Sequence, residues 1–576
     1  MGVLLQAFYK RGEKGVPSPA NGDEIDPWWD HLARQANELR LAGFTAVWLP
    51  PVTKGASGKN SVGYDVFDDY DLGSKDQKST VATLYGKREE LARCVAVMRA
   101  NGIDVYIDLV EHQRDGGSGP HHHTFRYADA DGNIGGGRFP KDPANFYPGR
   151  SQEAYVPGGQ AFGADLKIVR DPTHYVFNGL IDSVDWATRG LDIQGYRIDD
   201  VTGLSTDFLF PFLNSKAMAK KFAVGEFWDT TANHIETWLF GQNTMKGRCS
   251  AFDFPLQFVL RQMCNRSGPF DMSELDHAGL FHSSPFNAVT FVENHDTDSN
   301  GKDTIVRNKM LAYAYILTSE GYPSVFYKDY SNDQFCYGLK QFIDKLLFIH
   351  EKIADGPTQR RFPTQPGRSD VFAYERTGGH HLLVGLNNDE ANAKTITVDT
   401  GFGANVNLRD YTGHGADVQT DGTGRVTIEI PKSIDGMGYV CYSRQGIDGG
   451  FSVQGQTVTQ VFEGAQDLDI KPADNTNFVQ AASVWCEQGT PIRGSLQFDE
   501  RDWTDTTTIT LQLIDPGGEI LASATFHRTT PQGASIVAAA KVTDFHVFQI
   551  RSAATPATNP KPSYTLSVTY QTPQKL

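Results

Sequence analysis

Three acidic side chains stand at the ends of three apolar segments, where a carboxylate could take part in a reaction. Asp199 closes GYRID, Glu226 lies in VGEFW and Asp296 ends FVENHD. Arg197 lies two residues before Asp199, which places both side chains on one face of a strand. Its charge lowers the pKa of the Asp199 carboxyl and keeps it ionised. An ionised Asp199 is suited to attack an electrophile, whereas Asp200 points to the opposite face and is predicted to be structural.

The surroundings of the other two acids predict different roles. Phe227 and Trp228 follow Glu226, and an apolar setting raises the pKa of a carboxyl, which suits a proton donor. His295 adjoins Asp296 and can hydrogen-bond a polar substrate. One ionised and one protonated carboxyl facing each other are what glycoside hydrolysis requires. The pattern therefore predicts a glycosidase.

Positioning these acids requires a scaffold, and residues 1 to about 360 alternate apolar strands with amphipathic helices. The predicted strands are VLLQAF (3–8), TAVWLP (45–50), DVYIDLV (104–110), GYRID (195–199), FAVGEF (222–227), SAFDF (250–254), AVTFVEN (288–294) and SVFY (324–327). Helices are predicted between them, for example over 88–102 and 308–321. Eight such units predict an α/β fold, a (β/α)8 barrel whose active site lies at the C-terminal ends of the strands.

The connection after the third predicted strand is longer than one crossover helix needs. More than eighty residues separate Val110 from Gly195, and the first sixty are rich in glycine and turn signals. We therefore predict an inserted subdomain, residues 112–170, at the catalytic rim. The barrel then comprises residues 1–111 and 171–362.

Past residue 365 the pattern changes to short alternating strands. These predict two all-β, sandwich-like domains, residues 363–443 and 450–576, separated by the Gly-rich joint RQGIDGG. We expect few contacts to cross this joint, so that removing the last domain leaves activity on short substrates nearly unchanged. The role of that domain stays open. Trp485 and Trp503 are candidates for a carbohydrate-binding platform, but core or edge packing is the interpretation that we favour.

Charge and composition exclude several classes of partner. The chain has 53 Lys and Arg against 69 Asp and Glu, a net charge of −16, and such a surface repels phosphate backbones, so no nucleic acid is expected. No stretch approaches the roughly 20 apolar residues of a membrane-spanning helix, so no membrane is expected either. The six cysteines form no CxxC pair and do not support a zinc site. We expect a monomer that binds a neutral, polyhydroxylated substrate.

The N-terminal residues leave the compartment open. VLLQAF already has the pattern of a strand, and no basic stretch with an apolar run precedes it. The protein is cytoplasmic if this sequence is native as it stands. It is extracellular if a signal peptide has been removed and a start methionine added, which is the interpretation that we favour.

Three motifs, taken in order, resemble a known enzyme family. GYRIDD, VGEFWD and FVENHD are similar to three signature regions of the α-amylase family, glycoside hydrolase family 13. WLPP, VGYDVFDDYDLG, YGKREEL and AYILTSEGYPSVFY add smaller similarities, and the resemblance covers residues 1 to about 443. DDVTG and VGEFWD are most similar to the plant and the maltooligosaccharide-forming bacterial α-amylases.

The resemblance implies a retaining mechanism on the α-1,4 bonds of starch and maltooligosaccharides. It implies that Asp199 attacks the anomeric carbon, Glu226 protonates the leaving oxygen and Asp296 stabilises the distorted transition state. Tyr64 matches the family tyrosine that stacks on the sugar in the cleaved subsite. The residues expected to bind substrate are Tyr64, Gln113, Arg197, Trp228 and His295.

One family signature departs from its pattern. After the third strand the family reads Asp-x-x-x-Asn-His, whereas this chain has DLVEHQ, with His112 and Gln113 at the last two positions. Gln113 still carries an amide that can donate to a sugar hydroxyl. His112 replaces an asparagine that binds structural calcium in the family, and imidazole is a poor ligand for that hard ion.

The remaining calcium ligands that the family implies are only partly kept. Asp165 and the carbonyl of Gly203 are present, but Lys167 stands where a second acid or amide is frequent. A Lys167 ammonium paired with Asp165 would tie the inserted subdomain to the barrel without metal. We therefore expect no catalytic cofactor and no calcium at the usual site.

Other functions within and outside the family stay open. The shared mechanism does not set the acceptor, so a glucanotransferase or an α-glucosidase is the alternative enzyme. A non-catalytic carbohydrate-binding member would be expected to lack catalytic acids, and all three are present. The sequence does not decide between endo and exo action.

Overall fold

The computed structural model describes residues 2–9, 27–115, 126–128, 134–136, 138–159, 161–266, 270–333, 335–365, 367, 369–453, 456–464, 478–498, 508–527, 535–553 and 564–576. Within these ranges, eight strands form a closed barrel in which the order along the chain is also the order around the barrel. They are β1 (Leu4–Gln6), β2 (Ala46–Leu49), β3 (Asp104–Leu109), β4 (Gly195–Ile198), β5 (Phe222–Gly225), β6 (Ser250–Phe252), β7 (Ala288–Phe291) and β8 (Tyr322–Phe326). Strand β8 pairs in parallel with β1, with Ser324 opposite Leu4. The predicted barrel is confirmed.

Helices connect and flank these strands. They are α1 (Trp28–Ala42), α2 (Arg88–Ala100), α3 (Tyr175–Leu191), α4 (Thr206–Leu213), α5 (Ala232–Phe240), α6 (Phe254–Asn265), α7 (Thr297–Asn300), α8 (Lys309–Thr318), α9 (Tyr327–Tyr330) and α10 (Lys340–Lys352). In α2, Glu89 and Glu90 occupy the first turn and Arg99 the last, an arrangement that the helix dipole favours. Cys94 lies on the buried face of α2, and all six cysteines are free. No helix in the described ranges combines the length and the apolar character needed to cross a bilayer.

The chain divides into two compact units. The first comprises Met1–Glu24, Leu39–Leu49 and Ala223–Ser452. The second comprises Ile25–Glu38, Pro50–Phe222 and Val453–Leu576. After its barrel strands, the first unit contains antiparallel sheets. One has the strand order Thr358–Arg361, Val371–Arg376, Leu382–Asn387, Tyr439–Arg444, Asn407–Asp410 and Val418–Gln419, and the other pairs Lys394–Asp399 with Arg425–Ile430. Buried side chains from both sheets, including Ile396, Leu408 and Val440, form one core.

The second unit contains the described parts of the insertion and the last domain. In the insertion, Gln113–Arg114 pairs with Ala164–Asp165, and Arg126–Ala128 pairs with Ile134–Gly136. The last domain has two four-stranded antiparallel sheets, ordered Thr457–Gly464, Tyr564–Gln571, Pro491–Phe498, Ser535–Ala539 and Val479–Cys486, Asp544–Ala553, Thr508–Ile514, Ile520–His527. Alternate residues such as Ile509, Leu511 and Leu513 are buried in a shared core, so the predicted sandwich is confirmed.

The last domain contacts helices α2 and α3. The Arg93 guanidinium on α2 lies 4.9 Å from the Trp485 ring centroid and 5.3 Å from that of Phe545, and it also forms a two-point hydrogen bond with Asp30. Gln460 Nε2 donates to the Gly190 carbonyl at the end of α3, at 3.2 Å.

The expectation that few contacts cross the Gly-rich joint is therefore wrong. The expectation fails because α2 presents the Arg93 guanidinium to the sandwich and α3 presents a backbone carbonyl. A glycine-rich linker in the sequence does not reveal such contacts. Trp485 takes part in this packing, as we favoured, whereas Trp503 lies outside the described residues.

We expect Arg93→Met to lower the free energy of unfolding by about 1–2 kcal/mol, because it removes a charge-assisted pair and two cation–π contacts at once. Removing residues 447–576 should lower the unfolding midpoint further, since it uncovers α2 and α3. Urea and thermal unfolding followed by circular dichroism measure both effects. Lys541→Met is the control, because its partner Glu519 lies on the exposed surface of the same domain. Equal midpoints for the full and the shortened chain would contradict the expectation.

Candidate active site

Asp199 directly follows β4, and each oxygen of its carboxylate has a separate partner. Arg197 Nη1 donates to Asp199 Oδ1 at 2.6 Å and to Asp108 Oδ1 at 2.8 Å. Strand pairing sets this geometry, because Arg197 on β4 lies opposite Asp108 on β3. His112 Nε2 lies 3.1 Å from Asp199 Oδ2. The carboxylate is thus fixed at both oxygens.

These contacts bear on the protonation of the two aspartates. Burial alone would raise the pKa of Asp199, but the Arg197 guanidinium, and after it His112, outweigh burial and hold that pKa well below its ordinary range. Burial raises the pKa of Asp108 to about 7, with the shared Arg197 opposing the rise and the Asp199 charge reinforcing it. The arrangement favours an ionised Asp199, as the sequence predicts.

His112 links Asp199 to the inserted segment. Its Nδ1 lies 3.3 Å from Asp165 Oδ1, and the ring is buried. Burial favours the neutral ring, but the hydrogen bonds to Asp165 and Asp199 outweigh it and raise the pKa of His112 to about 9. Its two carboxylate neighbours favour the form of the ring that carries a proton on each nitrogen.

Tyr64 and Gln113 belong to the same part of the structure. Tyr64 Oη donates to Asp108 Oδ2 at 2.8 Å, and the Arg197 guanidinium lies 5.7 Å from the Tyr64 ring centroid. Gln113 Nε2 already donates to the Tyr64 carbonyl at 3.3 Å, while no hydrogen-bond partner of Gln113 Oε1 lies among the described residues. Gln113 is buried, and its amide nitrogen is held by the Tyr64 backbone.

Asp200 has the structural role that the sequence predicts. Its backbone adopts the left-handed region, with φ of 33°. Arg150 Nη1 donates to Asp200 Oδ2 at 2.5 Å, and Arg150 Nη2 donates to Thr202 Oγ1 at 3.0 Å. These bonds hold the loop that follows β4.

Glu226 and Trp228 follow β5 in the first unit. The Glu226 side chain is buried. The Phe227 ring packs at a tilt against Trp238, with ring centroids 5.6 Å apart, and Trp228 stacks on Phe254 at 4.7 Å. Trp228 keeps 42% of its surface exposed, so one part of the indole is available to a ligand. Glu226 is thus a buried acid that precedes two aromatic residues, each packed on a further ring.

His295 and Asp296 follow β7. The buried His295 ring packs on Phe8 and Trp48, with centroid distances of 5.0 and 5.8 Å. Gln6 Nε2 donates to His295 Nδ1 at 2.9 Å, which leaves the proton of a neutral ring on Nε2. That nitrogen lies 3.2 Å from Asp296 Oδ2. His295 therefore lies beside the Asp296 carboxylate.

The residues expected to hold calcium do not fit that ion. Asp165 Oδ1 is bound by His112, and Asp165 Oδ2 accepts from the Ser151 N–H at 2.6 Å. A Cβ on Gly203 would meet Arg150 Nη1 at 2.7 Å, so a guanidinium lies against Gly203. Calcium needs six to eight oxygen ligands, whereas cations occupy this place. No cluster of three or more metal-binding side chains occurs among the described residues.

The predicted pairing of Lys167 with Asp165 is wrong. The Lys167 ammonium lies 5.6 Å from the Tyr147 ring centroid, and the partners of Asp165 are His112 and Ser151. The sequence showed that His112 departs from the family pattern, but not that its ring lies between two carboxylates. That position depends on the pairing of the inserted segment with the strand residues Gln113–Arg114.

The three catalytic candidates thus lie just beyond three barrel strands. Asp199 joins Tyr64, Arg197 and Gln113 in one group of contacting residues of the second unit. Glu226 with Trp228, and Asp296 with His295, occupy the ends of β5 and β7 in the first unit. Sequence reasoning missed that Asp108 shares the Arg197 guanidinium with Asp199. An arginine with several donor groups and only one predicted carboxylate partner could have suggested a second partner.

Comparison with known proteins finds relatives over most of this chain. A family model described as alpha-amylase C-terminal matches residues 382–443. Glucan 1,4-alpha-maltohexaosidase of Bacillus sp. (strain 707) is 31% identical over 415 residues, which cover 62% of this chain and 76% of that protein. The alpha-amylase of Geobacillus stearothermophilus is 30% identical over 468 residues, covering 69% of this chain and 82% of that protein.

Solved structures share the fold. An Anoxybacillus alpha-amylase aligns with a TM-score of 0.56 at 18% identity, covering 78% of this chain and 98% of that chain. The alpha-amylase of Geobacillus thermoleovorans, solved in complex with acarbose, aligns with a TM-score of 0.56 at 17% identity. This alignment covers 78% of this chain and 99% of that chain. The relatives place this chain, with its barrel and the carboxylates just beyond the strands, in the class of glycoside hydrolases. The chain belongs to the α-amylase family, glycoside hydrolase family 13, and is an enzyme of the α-amylase type.

We expect Arg197→Met to lower activity by about 100-fold or more, because the Asp199 carboxylate loses the partner of its Oδ1. The free energy of unfolding should fall by about 3–5 kcal/mol, since the buried Asp108 and the partly exposed Asp199 lose their shared cation. Initial rates on soluble starch and urea unfolding measure the two effects. Arg189→Met is the control, because Arg189 pairs with Asp185 within α3. An Arg197→Met variant as active as this control would contradict the expectation.

Proposed function

We propose that the enzyme hydrolyses α-1,4-glucosidic bonds in starch and maltooligosaccharides by double displacement, with retention at the anomeric carbon. The observation that carries the proposal is the Asp199 carboxylate, which Arg197 and His112 hold at one oxygen each. A nucleophile must be ionised and fixed in direction, and these two cations serve both needs.

In the first step, a carboxylate oxygen of Asp199 attacks the anomeric carbon. The bond from that carbon to the glycosidic oxygen breaks, and the oxygen takes the proton of Glu226. In the second step, Glu226 removes a proton from water, the water oxygen bonds to the anomeric carbon, and Asp199 leaves. Retention follows because inversion occurs twice.

Neighbouring side chains support the same assignment. Asp296, which lies beside His295, would stabilise the positive charge that develops on the sugar ring. Tyr64, held by Asp108, and the exposed face of Trp228 offer aromatic surfaces for sugar stacking. Each of the three acids lies just beyond a barrel strand, the position that is typical of catalytic residues in this fold.

The names of the relatives support α-glucans as substrates. One relative is a glucan 1,4-alpha-maltohexaosidase and another an alpha-amylase. Separation of the products formed from soluble starch over time identifies the bond cleaved and the product length. Hydrolysis products alone support the proposal, and disproportionated chains longer than the substrate would favour a glucanotransferase.

We expect Asp199→Asn and Glu226→Gln each to lower the rate of starch hydrolysis by about 1000-fold or more, because each removes a reacting group without changing side-chain volume. Asp182→Asn, on the exposed surface of α3, is the matched control. Rates are measured on soluble starch, and circular dichroism checks the fold. Activity close to that of the control in either variant would refute the assignment.

We also expect the first product to be the α-anomer. A double displacement returns the anomeric carbon to its starting configuration, whereas a single displacement by water inverts it. Proton NMR during the first minutes, before mutarotation, distinguishes the two. An initial signal of the β-anomer would exclude Asp199 as a covalent nucleophile.

A further inference from the structure

His112 lies between carboxylates from two separate segments of the second unit. Its Nδ1 is 3.3 Å from Asp165 Oδ1, and its Nε2 is 3.1 Å from Asp199 Oδ2. His112 and Asp165 are both buried. An ionised carboxylate only accepts hydrogen bonds, so both ring nitrogens act as donors. The ring thus joins the inserted segment to the residue that follows β4.

Arg150 makes a second link between the same segments. Its guanidinium binds Asp200 at 2.5 Å and Thr202 Oγ1 at 3.0 Å. The Val156 N–H of the insertion also donates to the Thr202 carbonyl, at 2.9 Å. Two cations and a backbone hydrogen bond therefore connect the insertion to the loop 199–203.

We propose that His112 and Arg150 form a cation bridge that replaces a metal ion between the inserted segment and the loop after β4, and that His112 positions Asp199 for attack. The cation bridge consists of these two residues with the carboxylates of Asp165, Asp199 and Asp200. It rests on the proposed function in one respect, the role of Asp199 as nucleophile. His112 acts through Asp199 and is a positioning residue.

The donor set explains why side chains serve here in place of a metal. Both oxygens of Asp165 are already used, one by His112 and one by the Ser151 N–H. A guanidinium lies against Gly203. Cations at these places repel a divalent ion and satisfy the carboxylates that would otherwise bind it. The bridge also opposes rotation of the Asp199 carboxylate, which Arg197 holds at the other oxygen.

The kinetic test uses His112→Asn in the full chain with α-maltotriosyl fluoride as substrate. Fluoride leaves with little help from an acid, so the rate reports attack by Asp199. We expect kcat to fall by about 10- to 100-fold, because the nucleophile is misplaced, while KM stays within about twofold. Glu226→Gln should lose far less activity on the fluoride than on starch. This contrast assigns the His112→Asn defect to the nucleophile.

Lys167→Met is the matched control, since it removes a cation of the insertion that contacts Tyr147 and not the bridge. It should keep the kcat of the wild type. If His112→Asn has the same kcat as the wild type while Asp199→Asn is inactive, the proposed cation bridge is overturned. The proposed function is then unaffected. An active Asp199→Asn variant overturns the proposed function itself.

Two measurements do not depend on the folding of His112→Asn. Arg150→Gln should lower kcat and the unfolding midpoint, and unchanged values of both overturn the proposal. The midpoint of the wild-type chain should differ by less than about 2 °C between excess chelator and added calcium, because an ion that is not bound adds no stability. A larger fall of the unfolding midpoint in excess chelator, reversed by calcium alone, also overturns the proposal.

Discussion

The buried guanidinium of Arg197 is the group on which the second unit's part of the site depends. It donates to Asp108 on β3 and to Asp199 after β4, and both bonds are shorter than 3 Å. A buried charge is costly unless it is paired, and two carboxylates sharing one cation repel each other. The parallel pairing of β3 with β4 resolves this conflict by fixing all three groups in one register. One aspartate stays ionised as a result, and the pKa of the other rises.

The environment of His112 extends the same balance of charge to the insertion. Asp165, Asp199 and Asp200 would repel one another without cations between them. His112 and Arg150 supply the cations from the chain itself, with directional donors that a spherical ion lacks. A hard divalent ion demands many oxygens around it, whereas an imidazolium and a guanidinium need only one or two acceptors per donor group. The substitution of the family asparagine by His112 is therefore coherent with the presence of Arg150.

The last domain contributes to the structure of the barrel helices. Its two sheets enclose their own core, so the sandwich satisfies its apolar residues by itself. What it adds to α2 and α3 is polar and aromatic contact, in which the Arg93 guanidinium faces two rings and one carboxylate. Such contacts are specific in direction and small in number. They explain how a domain joined through a glycine-rich segment can still be fixed in place.

The sequence by itself determined the barrel, the two β-domains and the positions of the candidate acids. Strand periodicity and motif order are local properties. They can be read from the sequence because each strand carries its own apolar pattern. The tertiary structure alone decided which charges meet. Asp108 pairs with Arg197 across two strands, His112 lies between Asp165 and Asp199, and Lys167 does not reach Asp165. These partners are 53 to 89 residues apart in the chain, and only the register of strands and the path of the insertion bring them within hydrogen-bonding distance.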